Sequence, residues 1–184
     1  MNDILYEKLV YLSKVGKIVS IYSNEDSEQF CVGYILAVNY DYILIQHLSP
    51  NGKYDGYVFQ KISNIYRVGY DEPYTEKIRK LYDLEHHKHE DMDVDSTNIL
   101  VQFLKRAAER KWVVAIELNE SGLYDVQEFV LESNEKNITI QKIADNGKYD
   151  GITCFDSCCI TSGEGDTEDG QSLKLLAQLC HSKE

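Results

Sequence analysis

The hydrophobic positions of the chain follow a helical pattern and a β-strand pattern, one after the other, twice. Near residue 4 and again near residue 99, apolar residues recur at helical spacing. These positions are Ile4, Leu5, Leu9 and Leu12 in the first stretch, and Ile99, Leu100, Phe103, Leu104 and Ala107 in the second. A short run rich in β-branched residues follows each stretch, at 17–22 and 112–118. The pattern therefore predicts an amphipathic helix followed by a strand in each half.

The two halves are an internal duplication. The six residues Asn51-Gly52-Lys53-Tyr54-Asp55-Gly56 return unchanged at 146–151, and the same shift of 95 residues aligns the helical and strand-like patterns. Stacked repeat arrays need several copies to bury a core, so each copy is predicted to be a small domain of its own. We predict a first domain at 1–88, an acidic linker at 89–95 and a second domain at 96–184.

Further strands follow the first in each copy. In the first copy they are predicted at 30–38, 42–48, 57–62 and 65–68, with turns at 24–28 and 39–41 and a loop at 51–56. The turn equivalent to 24–28 falls at 119–122 in the second copy. Gly33 interrupts the long apolar run at 30–38, which predicts a bend or bulge, and Glu128 takes that position in the second copy. A final helix, with Pro73 in its first turn in the first copy, ends each half.

Five short, closely connected strands favour a closed barrel, because closure removes the exposed edges of a sheet. The predicted fold class is therefore mainly β with flanking helices (α+β). It consists of two tandem five-stranded small β-barrels, each with an N-terminal and a C-terminal helix.

Net charge and composition narrow the classes of function. The formal charge is −12, and both halves are acidic: residues 1–95 carry 10 Lys/Arg against 16 Asp/Glu, and the remainder 9 against 15. An acidic chain is poorly suited to binding phosphate backbones, so DNA is not expected as a partner. No segment has the length and hydropathy of a membrane span and no leader pattern begins the chain, so we expect a cytoplasmic protein that does not bind membranes.

The strand pattern of each copy resembles the Sm-like small β-barrel, the fold of LSm proteins and bacterial Hfq. The first Sm motif resembles the run from Phe30 to Asn39, with Gly33 inside it, and the second resembles Ile62-Ser63-Asn64-Ile65. SH3-like barrels have a similar strand order and remain an alternative. The chain also resembles small proteins of low-GC Gram-positive bacteria that carry Gly-x-Tyr-Asp-Gly-Tyr after an Ile/Leu-rich strand.

The Sm resemblance implies a place for single-stranded RNA, but this sequence departs from it. The base-binding loop falls at Asn39-Tyr40-Asp41-Tyr42-Ile43 in the first copy, and Asn137 is the one retained candidate in the second. The Arg/Lys-Gly pair that the family places before its last strand reads Lys61-Ile62 and Asp156-Ser157 here. Fold resemblance alone does not carry RNA binding with it.

The paired loops are the best candidates for binding. Each presents a lysine, a tyrosine and an aspartate between glycines: Lys53, Tyr54 and Asp55 in the first copy, and Lys148, Tyr149 and Asp150 in the second. The alternative is turn chemistry, since Asn-Gly and Asp-Gly suit tight loops that need positive φ. Tyr40 and Tyr42 are further candidates because twelve of the fourteen tyrosines lie in the first copy, and tyrosine is common at interfaces and base-stacking platforms.

Histidines and cysteines give no strong catalytic or metal pattern. His86, His87 and His89 precede acidic residues, but a solvated linker does not hold ligands in fixed geometry, so no metal or cofactor is predicted. Cys154, Cys158 and Cys159 fit no zinc ribbon and are interpreted as buried or half-buried reduced thiols.

We therefore expect a protein that is not an enzyme. The leading hypothesis is a non-catalytic interaction or scaffold module that binds a protein partner or a second copy of itself. The alternative is an RNA-binding Sm-like regulatory protein, with Lys53, Tyr54, Lys148, Tyr149 and Asn137 as contacts.

Overall fold

The fold was obtained as a computed structural model that describes residues 3–23, 30–86, 88–90, 92–119, 121 and 126–181. The chain divides into two compact units, Met1–Ile99 and Leu100–Glu184. The first unit contains α1 (Asp3–Val15), β1 (Ile18–Ser23), β2 (Cys31–Val38), β3 (Tyr42–Leu48), β4 (Tyr54–Lys61), β5 (Ile65–Tyr70) and α2 (Pro73–Leu84). A short 3₁₀ turn at Ile62–Asn64 separates β4 from β5.

The second unit repeats this order with little change. It contains α3 (Ile99–Arg110), β6 (Val113–Leu118), β7 (Val126–Ser133), β8 (Asn137–Ile143), β9 (Tyr149–Asp156), a 3₁₀ turn (Ser157–Cys159), β10 (Ile160–Gly165) and α4 (Glu168–His181). Within the described part of the chain, no helix has both the length and the apolar character needed to cross a bilayer. The prediction of a β-rich fold with flanking helices is confirmed.

The strands form open antiparallel sheet, so the prediction of two closed five-stranded barrels is wrong. The strand order is β5-β1-β2-β3-β4 in the first unit and β10-β6-β7-β8-β9 in the second. Closure would require a ladder between β4 and β5, or between β9 and β10, and the described strands do not form one.

The need to protect sheet edges favours a closed barrel. The first unit instead protects one of its edges with a short, charged strand. Strand β5 is only six residues long and carries the exposed side chain of Arg67. Short, charged edge strands discourage pairing with other chains without closing the sheet. A bulge lies between Ile35 and Ala37, where β2 shifts register against β3, and the second unit has the same bulge between Val130 and Glu132, so it does not depend on Gly33.

Each sheet buries side chains against its helices. In the first unit, Leu9 and Leu12 of α1 pack in a core cluster with Val19, Ile21 and Ile35. A second cluster joins Ile18, Val32 and Leu48 to Ile78 of α2. Its equivalent in the second unit joins Val113, Ile143 and Leu173 of α4. Val113, Ile143 and Leu173 are the equivalents of Ile18, Leu48 and Ile78 by the 95-residue shift. The last helix therefore packs on its sheet in the same way in both units.

The two copies differ at the centre of the second strand. A Cβ atom added to Gly33 would lie 1.9 Å from the carbonyl oxygen of Gln46, so the first unit has no room for a side chain there. The second unit buries the side chain of Glu128 completely at that position, and neither carboxylate oxygen has a hydrogen-bond partner among the described residues. Burial raises the pKa of Glu128 to about 8, although the charge of Lys142 acts in the opposite direction.

Two predicted turns lie wholly or partly outside the described residues. The turn at 24–28 is outside them, and so are two of the four residues of the turn at 119–122. The predicted helix start at Pro73 is confirmed, with Pro73 in the first turn of α2 and a reciprocal capping box between Glu72 and Thr75.

Candidate functional site

The repeated loops have the same backbone structure in both units. The amide of Gly52 donates to the carbonyl of Ser49 at 2.8 Å, and the amide of Gly147 donates to the carbonyl of Ala144 at 2.8 Å. Both glycines of each loop have positive φ: +71° and +70° in the first unit, +80° and +87° in the second. Glycine adopts this conformation at little cost, so turn chemistry explains why glycine occurs at these positions.

The first glycine of each loop also brings the loop against the last helix of its unit. A Cβ atom on Gly52 would lie 2.4 Å from Cβ of Leu81 in α2, and one on Gly147 would lie 2.6 Å from the carbonyl carbon of Leu176 in α4. Each loop, the strand that follows it and the adjoining helix therefore form one surface. We call these the first surface (Tyr54, Tyr57, Leu81 and Tyr82) and the second surface (Tyr149, Ile152, Leu176 and Leu179).

The first surface is occupied by the chain itself. Residues 88–90 and 92, which we call the strap, follow α2 without regular secondary structure, and Met92 is buried. The ring of His89 lies 4.4 Å from the ring of Tyr54, 5.2 Å from that of Tyr57 and 5.9 Å from that of Tyr82, measured between centroids. Three tyrosines thus enclose one imidazole. The predicted linker residues 89–95 belong to the first unit.

Hydrogen bonds fix the strap on both sides of His89. Its Nε2 lies 2.8 Å from the carbonyl oxygen of Gly56, so Nε2 carries the hydrogen and donates it. The hydroxyl of Tyr82 lies 3.1 Å from Nδ1 and donates to it, while the backbone amide of His89 donates to the same hydroxyl at 3.3 Å. The hydroxyl of Tyr57 donates to the carbonyl of Glu90 at 2.6 Å. The first surface therefore forms hydrogen bonds with both backbone and side-chain groups of the strap.

Lysine adds a further contact at the start of the strap. The ammonium of Lys88 lies 3.7 Å from the ring centroid of Tyr82 and donates a hydrogen bond to the Tyr82 carbonyl. A cation over the face of a tyrosine is attracted by the ring quadrupole. The first surface therefore binds a segment without regular secondary structure that presents a cation and an imidazole in succession.

In each unit, a basic side chain of the strand before the loop lies close to the loop aspartate. Nδ1 of His47 lies 3.5 Å from a carboxylate oxygen of Asp55 and 3.2 Å from its carbonyl oxygen. Burial lowers the pKa of His47, and the charge of Asp55 acts in the opposite direction. At the equivalent positions of the second unit, the ammonium of Lys142 lies 3.8 Å from the carboxylate of Asp150. The aspartate of each loop is thus directed toward the preceding strand.

The two surfaces differ in exposure at the strand and not at the end of the helix, because Leu84, the equivalent of Leu179, is also exposed, at 78%. Side chains of Tyr149, Ile152, Leu176 and Leu179 are 49%, 63%, 43% and 63% exposed, whereas Tyr57, the equivalent of Ile152, is fully buried. Strand β9 is the last in the strand order of its unit. The two units therefore share the same order of elements and differ in the exposure of this strand.

The remaining candidates predicted from sequence lie at two separate places. Lys53 and Lys148 are exposed within the loops. Tyr40 is 64% exposed and its ring stacks on that of Tyr6 at 4.5 Å. Tyr42 is buried, and both Tyr42 and its equivalent Asn137 donate their amides to the turn side chains of Asn39 and Asn134. They lie at the end of the β3–β4 or β8–β9 hairpin opposite the loop, so no single site gathers all the candidates.

The cysteines and histidines differ in part from their predicted settings. All five cysteines are free thiols, but Cys154 and Cys158 are exposed rather than buried or half-buried. A hydrogen bond to Asp156 raises the pKa of Cys158, which disfavours the reactive thiolate. His87 lies outside the described residues, and no group of three or more potential metal ligands occurs within them.

Sequence reasoning missed the residues that make the two surfaces different. His89 was assigned to a solvated linker because the segment EHHKHEDMDVD has a single large apolar residue after its charged start, Met92. The difference at Ile152 was available in principle, since Ile152 replaces Tyr57 of the first copy. No protein-family model matches this chain, and a comparison with curated proteins finds no match.

Proposed function

We propose that this protein is a non-catalytic interaction module that binds extended polypeptide segments on its loop–helix surfaces. The observation that carries the proposal is the strap: the first surface binds a segment of this chain that has no regular secondary structure. Because the second surface has the same backbone elements and exposes the side chains of Ile152 and Leu176, we assign it to a partner in trans.

The chemistry of the first surface supports this role. Tyrosine combines a large apolar ring with a hydroxyl and loses little side-chain entropy on binding, which suits recognition of polypeptide. Tyr57 and Tyr82 use the ring to contact His89 and the hydroxyl to bond to strap atoms. Recognition by backbone groups tolerates variation in the bound sequence.

The settings of the reactive side chains favour binding over catalysis. The raised pKa of Cys158 reduces its nucleophilicity at neutral pH. His47 bonds to the carbonyl of Asp55 through Nδ1, which is a structural contact for the loop.

The proposal can be tested by affinity capture with matched variants. The double variant Ile152→Lys/Leu179→Lys places charge on two exposed residues of the second surface, and Leu131→Lys makes the same change at another exposed apolar residue of that unit. We expect proteins retained by the wild type and by Leu131→Lys to be lost with the double variant. Retention that does not differ among the three chains would contradict the proposal.

Titration with RNA separates this function from the RNA-binding alternative. Fluorescence anisotropy with short U-rich and A-rich single-stranded RNAs, at two salt concentrations, should show no binding up to about 100 μM. Micromolar binding that weakens steeply with salt and is lost on substitution of Lys53 and Lys148 would instead establish the alternative.

A further inference from the structure

A row of four residues crosses the sheet of the second unit beneath α3. The strand registers place them side by side on β10, β6, β7 and β8: Gly165, Val114, Glu128 and Lys142. Residues directly opposite each other in paired strands point to the same face of a sheet. A Cβ atom on Gly165 would lie 3.0 Å from the ring of Phe103 in α3 and 3.3 Å from the side chain of Val114. Glu128 therefore lies on the face that α3 covers, with Lys142 as its neighbour on β8.

The described elements around Glu128 bring one charge to it, that of Lys142. Its neighbour on β6 is Val114, and the buried positions of α3 are apolar. The other charged residues of β6, β7 and α3 are exposed, half-buried or bonded to other groups: Glu117, Glu132, Lys105, Arg106, Glu109 and Arg110.

The carboxyl group of Glu128 has no partner of its own among the described residues. The residue is completely buried, and neither carboxylate oxygen accepts a hydrogen bond there. An ionised carboxylate in this setting is strongly disfavoured unless a cation comes to it. Burial raises the pKa of Glu128 to about 8, with the charge of Lys142 acting in the opposite direction. The group therefore changes its charge close to neutral pH.

Lys142 lies between two carboxyl groups. Its ammonium is 3.8 Å from the carboxylate of Asp150, and the two side chains are 37% and 68% exposed. Ion pairs at exposed sites are weak because water and salt screen them. A buried carboxylate attracts the ammonium more strongly because the local dielectric constant is lower. The observed arrangement, with Lys142 at Asp150, is the one expected while Glu128 is neutral.

The first unit has the same pair of side chains beside its loop but no carboxyl group on the neighbouring strand. His47 and Asp55 take the positions of Lys142 and Asp150, and Gly33 takes that of Glu128. Gly33 lies opposite His47 in the register of β2 and β3. The basic residue therefore faces two carboxyl groups in the second unit, and a carboxyl group and a glycine in the first.

We propose that Glu128, Lys142 and Asp150 form a pH-sensitive switch that couples the proton on a buried carboxyl group to the conformation of the second loop, residues 146–151. When Glu128 carries the proton, Lys142 pairs with Asp150 and the loop is held to β8. When Glu128 releases the proton to water, the ammonium turns to the buried carboxylate and Asp150 is released. The switch goes beyond the proposed function, because it needs no partner on the second surface.

The test is an NMR titration of the isotope-labelled full chain from about pH 5 to about pH 10. The carboxyl carbon of Glu128 gives the midpoint of its titration. The carboxyl carbon of Asp150 and the backbone amides of 146–151 report on the loop. We expect the loop signals to move with the midpoint of Glu128, within about 0.3 pH units.

Two substitutions change the switch in opposite directions. Lys142→Met removes the charge and keeps an apolar stem, so the midpoint of Glu128 should rise by about one unit and the loop signals should no longer follow it. Asp150→Asn leaves Lys142 to Glu128, so the midpoint should fall by about half a unit. Asp145→Asn makes the same change of charge at another exposed residue, and should move the midpoint by less than about 0.2 units.

Several results would overturn the proposal. One is an ordinary midpoint for Glu128, near 4.5, and another is a loop whose signals stay constant while Glu128 titrates. Loop signals that still follow Glu128 in Lys142→Met would show that the coupling does not pass through the lysine. Equal midpoints in Asp150→Asn and Asp145→Asn would remove Asp150 from the switch. If Lys142→Met does not fold, these two variants, both at exposed residues, decide the question.

Discussion

The buried carboxyl group of Glu128 is the most unusual side-chain environment in the described chain. Its folded-state pKa of about 8 exceeds the ordinary value of 4.5, so the folded protein holds a proton that the unfolded chain releases at neutral pH. Stability from the neutral form is fully present below about pH 4.5 and is lost as the pH rises toward 8. A shift of about 3.5 units corresponds to roughly 5 kcal/mol at most.

We predict that Glu128→Gln removes this pH dependence. The amide does not titrate, so the stability of the variant relative to the wild type should rise between pH 5 and pH 8 by a few kcal/mol. Urea unfolding at pH 5, 7 and 9, followed by fluorescence of the single tryptophan, Trp112, reports on the second unit. Glu132→Gln, at an exposed site, is the control. Parallel pH profiles of wild type and Glu128→Gln would show that Glu128 is ordinarily ionised.

The glycines of the second loop separate the cost of a positive φ from the cost of a steric clash with α4. Gly147 and Gly151 both have positive φ, but an added Cβ meets the Leu176 and Ala177 backbone only at Gly147, and no described atom within 4 Å at Gly151. We predict that Gly151→Ala costs about 1 kcal/mol from backbone strain, and Gly147→Ala at least about 1 kcal/mol more. Urea unfolding measured by Trp112 fluorescence gives both values. Equal costs would mean that α4 moves freely away from the loop.

At the scale of elements, the strap depends on a hydroxyl that can be removed alone. Tyr57→Phe deletes the 2.6 Å bond to the Glu90 carbonyl and keeps the ring. Loss of one such bond is worth about 1 kcal/mol, so local opening of the strap should increase about fivefold. Hydrogen exchange of peptides that cover 86–94 measures this. Tyr66→Phe, at a half-exposed ring, should leave exchange unchanged, and identical exchange in both variants would remove Tyr57 from the strap contact.

Local pattern predicted the elements well, and pairing between distant elements poorly. The 42–48 strand and the helix beginning at Pro73 follow from β-branched runs and from proline preference, which act over a few residues. Barrel closure depends on whether β4 and β5 pair, and no local signal encodes that. The loop glycines were interpretable because positive φ restricts residue type locally.

The contacts of the strap could not be predicted from sequence, for a different reason. His89 contacts Tyr57, which lies more than thirty positions earlier, and Met92 alone gives no periodicity. A charged segment of this kind ordinarily indicates solvation. Its attachment arises from a tyrosine cluster that assembles only in the folded unit, so sequence could supply the residue types but not their contact.

At the scale of the whole molecule, the two units share one order of elements and differ in the residues around the repeated loop. The loop and the packing of the last helix are common to both units, and positive φ accounts for glycine at the same positions. In the first unit Tyr57 and Tyr82 hold the strap, whereas Ile152, the equivalent of Tyr57, stands exposed. The first unit therefore holds a segment of its own chain, and we propose that the second binds a partner.

The most direct test of this account is hydrogen exchange of the full chain, compared between the wild type and the double variant Tyr57→Phe/Tyr82→Phe, which deletes the two hydroxyls that bond to the strap. We predict that exchange increases in peptides that cover the strap and changes little in peptides that cover β9. Exchange of the strap that is the same in both proteins would contradict the central claim that the first surface binds this segment through its tyrosines.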